Sequence, residues 1–397
     1  MASSPPGMSS RNALFGPQAL AIYSLTALLG GMYALVAPTL TLYLAEQFGM
    51  RPLAVGGFFV GTALANIVYS QAIARWSDRL QQRHGLILTG MSLGALACAA
   101  FALAPNYWTV LLAGLTLFSM SNAVLPQIFA LSREYADHCL PPHQTTLFNS
   151  AVRACIAMAW VAAPPAGFFL QSCIGFERQY LTVGAAYAVI GVLAFIALPR
   201  IPKKARAAPA GAASPGKEII LAMAAFALLF GANQAYVLAL PLLVTRELDG
   251  AAQTAGWLMG TAAGLEIPIM LLAGWLAARL RLLLIIRFGC AAAVVLYLCV
   301  WQANAVWQMF ALQILNAIFV GCLGGLGITF FQNMLPGRTG VASTLFTNTN
   351  QLGNIFGALM IALVADLFGY RNLYAANMLA ALLAFSLLFW LDRNSKT

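Results

Sequence analysis

Apolar runs of about 20 residues recur along the whole chain, separated only by short polar breaks, and each is long enough to cross a hydrocarbon layer about 30 Å thick. They fall at residues 17–42, 53–74, 86–104, 107–131, 147–170, 180–198, 218–242, 253–276, 284–302, 305–332, 341–364 and 369–391. Strands of a membrane barrel would alternate in segments of about 10 residues, and these runs do not. The pattern therefore predicts an all-α membrane protein with twelve transmembrane helices.

Composition agrees. Residues are 61% hydrophobic and only 8% charged, against about 25% charged in soluble domains. The net charge of +10 is dispersed among short loops and builds no basic face, so a nucleic-acid partner is not expected. With the N-terminus placed inside, Arg51, Arg178, Arg246 and Arg371 are the basic loop residues on the outer side, and Arg153 lies within a span. Positive-inside bias then makes both termini cytoplasmic, in a multi-pass membrane protein.

The expected division is a cytoplasmic lead at 1–16, a six-helix half at 17–198, a cytoplasmic linker at 199–217, a second six-helix half at 218–391 and a tail at 392–397. The linker, PRIPKKARAAPAGAASPGK, is rich in Pro, Ala and Gly and carries five basic residues, the composition of a connecting segment. Repetition at an offset of about 200 residues supports the split. Ala74-Arg75-Trp76-Ser77-Asp78-Arg79-Leu80 aligns with Gly274-Trp275-Leu276-Ala277-Ala278-Arg279-Leu280, and Gly61-Thr62-Ala63 with Gly260-Thr261-Ala262. Thr146-Leu147-Phe148-Asn149 aligns with Thr344-Leu345-Phe346-Thr347, and Tyr33 with Pro38 aligns with Tyr236 with Pro241. Two parallel pseudo-repeats of six helices are the arrangement of the major facilitator fold, where substrate binds between the halves near the midplane.

Four strings carry a closer resemblance: PQIFALSREYAD at 126–137, RACIAMAWVAAPP at 153–165, GTAAGLEIP at 260–268, and QNMLPGR with STLFTN at 332–338 and 343–348. Together they resemble the sugar efflux transporter family of the major facilitator superfamily, from the first span to the eleventh. The resemblance implies export of mono- and disaccharides and glycosides by proton antiport with alternating access. The loop ARWSDRLQQRH resembles the superfamily's cytoplasmic signature, which implies a conformational latch at Asp78, Arg79 and Arg83, with Arg133, Glu134 and Arg338 at neighbouring helix ends. Ala278 stands where the second half would keep an acid, and Asn333 where the family would carry one.

A neutral sugar offers hydroxyls and apolar ring faces, so its site calls for amides, hydroxyls and aromatic rings. Asn122, Gln127, Asn149, Trp160, Asn233, Tyr236, Asn316 and Asn348 are the substrate-binding candidates. Amides also bond helix to helix in membranes for about 0.6–2 kcal/mol, so some of these serve packing instead. Among them Asn122, Asn233 and Asn316 rank first, because spans 1, 4, 7 and 10 line the cavity in that fold.

Glu266 is a carboxylate inside an apolar run, and an intramembrane acid is a functional hypothesis by default. Arg153 is its candidate partner, since helix rise sets the two at depths about 6 Å apart. A carboxylate whose proton affinity is raised by desolvation and lowered by a nearby Arg can switch its charge as helices move, so Glu266 and Arg153 are the proton-coupling candidates. A static structural pair is the alternative.

No hydrolytic or redox motif occurs, and neither enzyme activity nor a metal or cofactor is expected. His84, His138 and His143 read as loop residues without metal spacing, and the seven Cys read mainly as small buried hydrophobes. The expected partners are a small-molecule sugar, protons and the bilayer, with the chain a monomer. A multidrug or other small-metabolite proton antiporter of the same superfamily is the near alternative, and a transporter-like membrane sensor the distant one.

Overall fold

The computed structural model describes residues 14–77, 84–198, 216–335 and 338–394, and every regular element among them is helical. In chain order these are α1 (Pro17–Glu46), α2 (Pro52–Ser77), α3 (His84–Ala102), α4 (Tyr107–Ala113), α5 (Ser119–Asn122), α6 (Leu125–Cys139), α7 (Pro142–Ala197), α8 (Lys217–Glu247), α9 (Ala252–Ala277), α10 (Leu282–Gln302), α11 (Val306–Met334), α12 (Thr339–Met360) and α13 (Asp366–Asn394). Wider π-type turns at Gly114–Phe118 and Ile361–Ala365 join α4 to α5 and α12 to α13. Most of the predicted lead and linker, and the end of the tail, lie outside the described residues.

Ten stretches among the described residues are long and apolar enough to cross a membrane. Two of them, Leu147–Ala197 and Val341–Asp392, have 51 and 52 residues. At 1.5 Å per residue each would extend about 75 Å if straight, more than twice the hydrocarbon thickness. Both are broken at a glycine with positive φ, Gly175 at 77° and Gly369 at 86°. Only glycine takes this conformation readily. The breaks fall between spans 5 and 6 and between spans 11 and 12, which is consistent with twelve spans.

Backbone polarity is satisfied locally, as an apolar surrounding demands. Asn106 caps α4 by accepting from the Thr109 amide at 3.0 Å. Gln308 does the same at α11, accepting from the amides of Asn304 and Ala305 at 2.8 and 3.2 Å. Near Pro38, which leaves α1 one donor short, the Thr39 hydroxyl bonds back to the carbonyls of Leu35 and Val36, both at 3.0 Å.

The chain divides into two compact units that do not follow the linker. The first comprises Met1–Ala34, Ala65–Trp160 and Phe176–Arg206. Its core is aromatic: Phe101 lies edge-on to Phe118 and to Tyr180, and Tyr33 stacks on Phe118. His84 belongs to this core. It opens α3, is buried, sits 3.2 Å from the Ala194 carbonyl and stacks on Phe195, which corrects its reading as a loop residue. A ring that pairs one nitrogen and stacks its face is accommodated at a helix start as well as any apolar side chain.

The second unit comprises Leu35–Leu64, Val161–Gly175 and Ala207–Thr397. Within it α8 packs on α12 and α13, α9 on α11, and α10 on α11 and α13. The α1–α2 hairpin at 35–64 and the segment 161–175 of α7 are part of this packing, so α1, α2 and α7 each pass from one unit to the other partway along their length.

The cysteines are free. Cys98, Cys290 and Cys322 are buried as expected of small hydrophobes, whereas Cys139 and Cys173 are exposed, because they sit near helix ends where no neighbour covers them.

Candidate functional site

Glu266 lies midway along α9, half-buried. Its surroundings in the second unit are made by glycines of α11. A Cβ on Gly324 would stand 3.9 Å from the Glu266 Oε1, and one on Gly321 3.5 Å from the Glu266 carbonyl. The absence of side chains there leaves room for the carboxylate beside the α11 backbone. Among the described residues of its own unit, Glu266 has no cation within 4.0 Å. A half-buried carboxylate without a counter-charge is costly in an apolar setting unless it binds a proton or meets a cation from elsewhere.

The GTAAGLEIP and WVAAPP strings are neighbours in space. A Cβ on Gly260 would stand 2.6 Å from the Val161 carbonyl and 2.8 Å from the Pro165 ring, and one on Gly256 would stand 2.8 Å from the Pro164 carbonyl. Residues 161–168 run antiparallel to 256–264 and touch backbone to backbone, a contact that only small residues allow. Arg153, eight residues earlier on α7, is exposed and belongs to the first unit.

A polar network fills part of the second unit's interior. Tyr236 on α8 and Gln313 and Asn316 on α11 are 1%, 0% and 5% exposed. The Gln313 Nε2 donates to the Tyr236 hydroxyl and to the Met309 carbonyl, both at 2.8 Å. Its Oε1 accepts from the Tyr236 hydroxyl at 3.2 Å and from the Asn316 Nδ2 at 3.1 Å. Tyr297 and Tyr374 surround the Tyr236 ring, with centroids 6.3 and 6.0 Å away. Asn377 donates to the Ala232 carbonyl at 3.1 Å. Sequence reasoning chose Tyr236 and Asn316 but passed over Gln313, which links them. The visible signal was a glutamine three residues before the asparagine in an apolar span, the spacing that brings two side chains onto one helix face.

The remaining candidates are distributed between the units. In the first, Asn122 and Asn149 are half-buried, Gln127 is buried, and Trp160 is half-buried with its ring edge-on to Tyr33 at 6.3 Å. In the second, Asn233 is half-buried and Asn348 exposed. Of the latch candidates, Arg133 and Arg338 are exposed and Glu134 half-buried, while Asp78, Arg79 and Arg83 lie outside the described residues. Asn66 has a packing role: its Nδ2 donates to the Ser119 carbonyl at 3.3 Å.

At one end of the second unit the charged residues pair. Arg51 meets Asp366 at 2.8 Å, and Asp366 also accepts from the Leu53 amide at 3.2 Å, capping α2 from another helix. Arg371 meets Glu247 at 3.2 Å and donates to Asn304 at 2.9 Å, and Arg246 donates to the Ala45 carbonyl at 3.1 Å.

Membrane-length helices that hold a carboxylate and a set of amides inside their packing define a multi-pass membrane protein. The chain belongs to the Major Facilitator Superfamily, whose profile matches residues 22–301 and 221–397, and within it to the sugar efflux transporters. It is 40% identical to sugar efflux transporter A of Dickeya chrysanthemi over 355 residues, 89% of each chain. It is 34% identical to sugar efflux transporter C of Escherichia coli K12, covering 89% of this chain and 91% of that one. Among solved structures, a bacterial homolog of the human lysosomal transporter Spinster, in an inward-facing and occupied conformation, superposes with a TM-score of 0.77 at 14% identity over 98% of both chains. That last likeness is one of fold. The family is one of transporters and not of enzymes.

Proposed function

We propose that this protein exports sugars, mono- and disaccharides and glycosides, across a bacterial inner membrane by alternating access, coupled to proton entry. The single observation that carries the reading is the 40% identity, over 89% of both chains, to a relative named for sugar efflux. The amides and aromatic residues inside the helices suit it, since hydroxyl-rich, uncharged ligands are held by such groups. In this reading the six-helix halves, 17–198 and 218–391, joined by the linker, move against each other. Both termini are cytoplasmic and the monomer is the working unit.

Glu266 carries the coupling proton, with Arg153 as its counter-charge in one state of the cycle. Support comes from its position inside α9 without a cation among the described residues of its own unit, and from the close antiparallel packing of 161–168 on 256–264, which belongs to the same two helices. Asp78, Arg79, Arg83, Arg133, Glu134 and Arg338 form the cytoplasmic latch, a role taken from the family pattern.

The test is efflux of preloaded labelled lactose, glucose and a thiogalactoside from cells with and without the protein, each with and without an uncoupler. Faster efflux that the uncoupler slows is expected. Efflux unchanged for all three sugars would overturn the sugar reading, and efflux insensitive to the uncoupler would overturn the proton coupling.

A further inference from the structure

Gln313 is held in one orientation by its anchor. A backbone carbonyl only accepts hydrogen bonds, so the group that Gln313 turns toward the Met309 carbonyl, 2.8 Å away, must be its amide nitrogen. The Gln313 oxygen is thereby directed to the Asn316 side chain, which must answer with its own nitrogen, at 3.1 Å. The polarity fixed at a backbone carbonyl is passed along the helix through two amides. At the end of this relay stands the Asn316 Oδ1, buried and without a hydrogen-bond partner among the described residues. An apolar interior rarely keeps such an acceptor unpaired without a purpose, and each exception calls for an explanation.

We infer that Gln313 is a positioning residue for substrate selection. By fixing the Asn316 amide with its oxygen outward from the network, it makes Asn316 an acceptor that selects a hydroxyl donor of the transported sugar. With the amide turned over, Asn316 would present a donor and would favour an acceptor instead. The acceptor is shielded in this conformation, with Asn316 5% exposed, so the sugar reaches it when the packing about α11 opens during the cycle. The inference rests on the sugar-export reading.

The experiment compares whichever of lactose, glucose and the thiogalactoside is exported with its monodeoxy and monofluoro analogues, one hydroxyl at a time. Fluorine keeps the size of the hydroxyl but donates no hydrogen bond. In the wild type, one position is expected to show a preference of about fivefold to tenfold in KM for the hydroxyl, the measure of one neutral hydrogen bond. Gln313→Leu, in a protein verified as folded by its elution and melting, is expected to reduce that preference to less than twofold while the maximal rate for the parent sugar changes less. Gln313→Glu is expected to retain the preference, because a carboxyl oxygen still accepts from the Asn316 nitrogen. Should Gln313→Leu not fold, Gln313→Met carries the same expectation. A wild type indifferent at every hydroxyl, or a preference that survives in Gln313→Leu or Gln313→Met, overturns the inference. Absence of export of any sugar by the wild type instead overturns the reading beneath it.

Discussion

Two polar side chains in the second unit differ in how completely they are served. Tyr236 and its amide partners bond to one another inside the helices, whereas Glu266 meets no cation among the described residues of its own unit and lies along a glycine-lined stretch of α11. Glu266→Gln keeps the shape and abolishes the charge. In proteoliposomes the variant is expected to move sugar down its gradient while losing sugar-driven proton movement, and undiminished proton movement would contradict the coupling role. The Arg153 partnership has its own test. Where the pair forms, removing Arg153 leaves the Glu266 carboxylate without its counter-charge. Arg153→Met should therefore lower stability more than Arg153→Met combined with Glu266→Gln, with a coupling of about 1–3 kcal/mol in a double-mutant cycle. Additive melting shifts would separate the two residues.

Helices in lipid are not driven together by the hydrophobic effect, and close packing decides which faces meet. Gly260 shows this, with room for no side chain between it and the Val161 carbonyl. Gly260→Val is expected to cost about 1–3 kcal/mol through overpacking, read as a lower melting temperature and a slower transport rate. Asp366 works at a helix end, where it caps α2 and pairs with Arg51. Its partner is 77% exposed, so the cap contributes more than the ion pair. Asp366→Asn and Arg51→Gln should each lower stability by about 1 kcal/mol or less, and less than additively in combination. A full sum of the two losses would show that they act independently.

At the scale of the whole molecule, two cysteines report orientation across the membrane. Cys139 closes α6 and Cys173 lies just before the break at Gly175, and both are exposed. With the termini inside, Cys139 faces the cytoplasm and Cys173 the outside. Single-cysteine variants labelled in intact cells with a membrane-impermeant maleimide should react at Cys173 and stay silent at Cys139 until the cells are opened. The reverse pattern would invert the topology.

What the sequence determined by itself was the set of elements and the family. An apolar medium forces every backbone polar group into helical bonding, so run length alone marks the crossings. The strings around Glu266, Arg153 and residues 332–348 were long enough to identify the family. Tertiary structure alone decided the rest. That 35–64 and 161–175 pack with residues 207–397 depends on shapes shared by helices of equal apolarity, which composition does not distinguish. His84 looked like a loop residue until the Ala194 carbonyl and Phe195 ring gave it a place. The orientation of Gln313, and through it of Asn316, depends on a carbonyl one turn away and a tyrosine 77 residues distant. Hydrogen-bond direction is a property of assembled partners, and no single segment of the chain contains it.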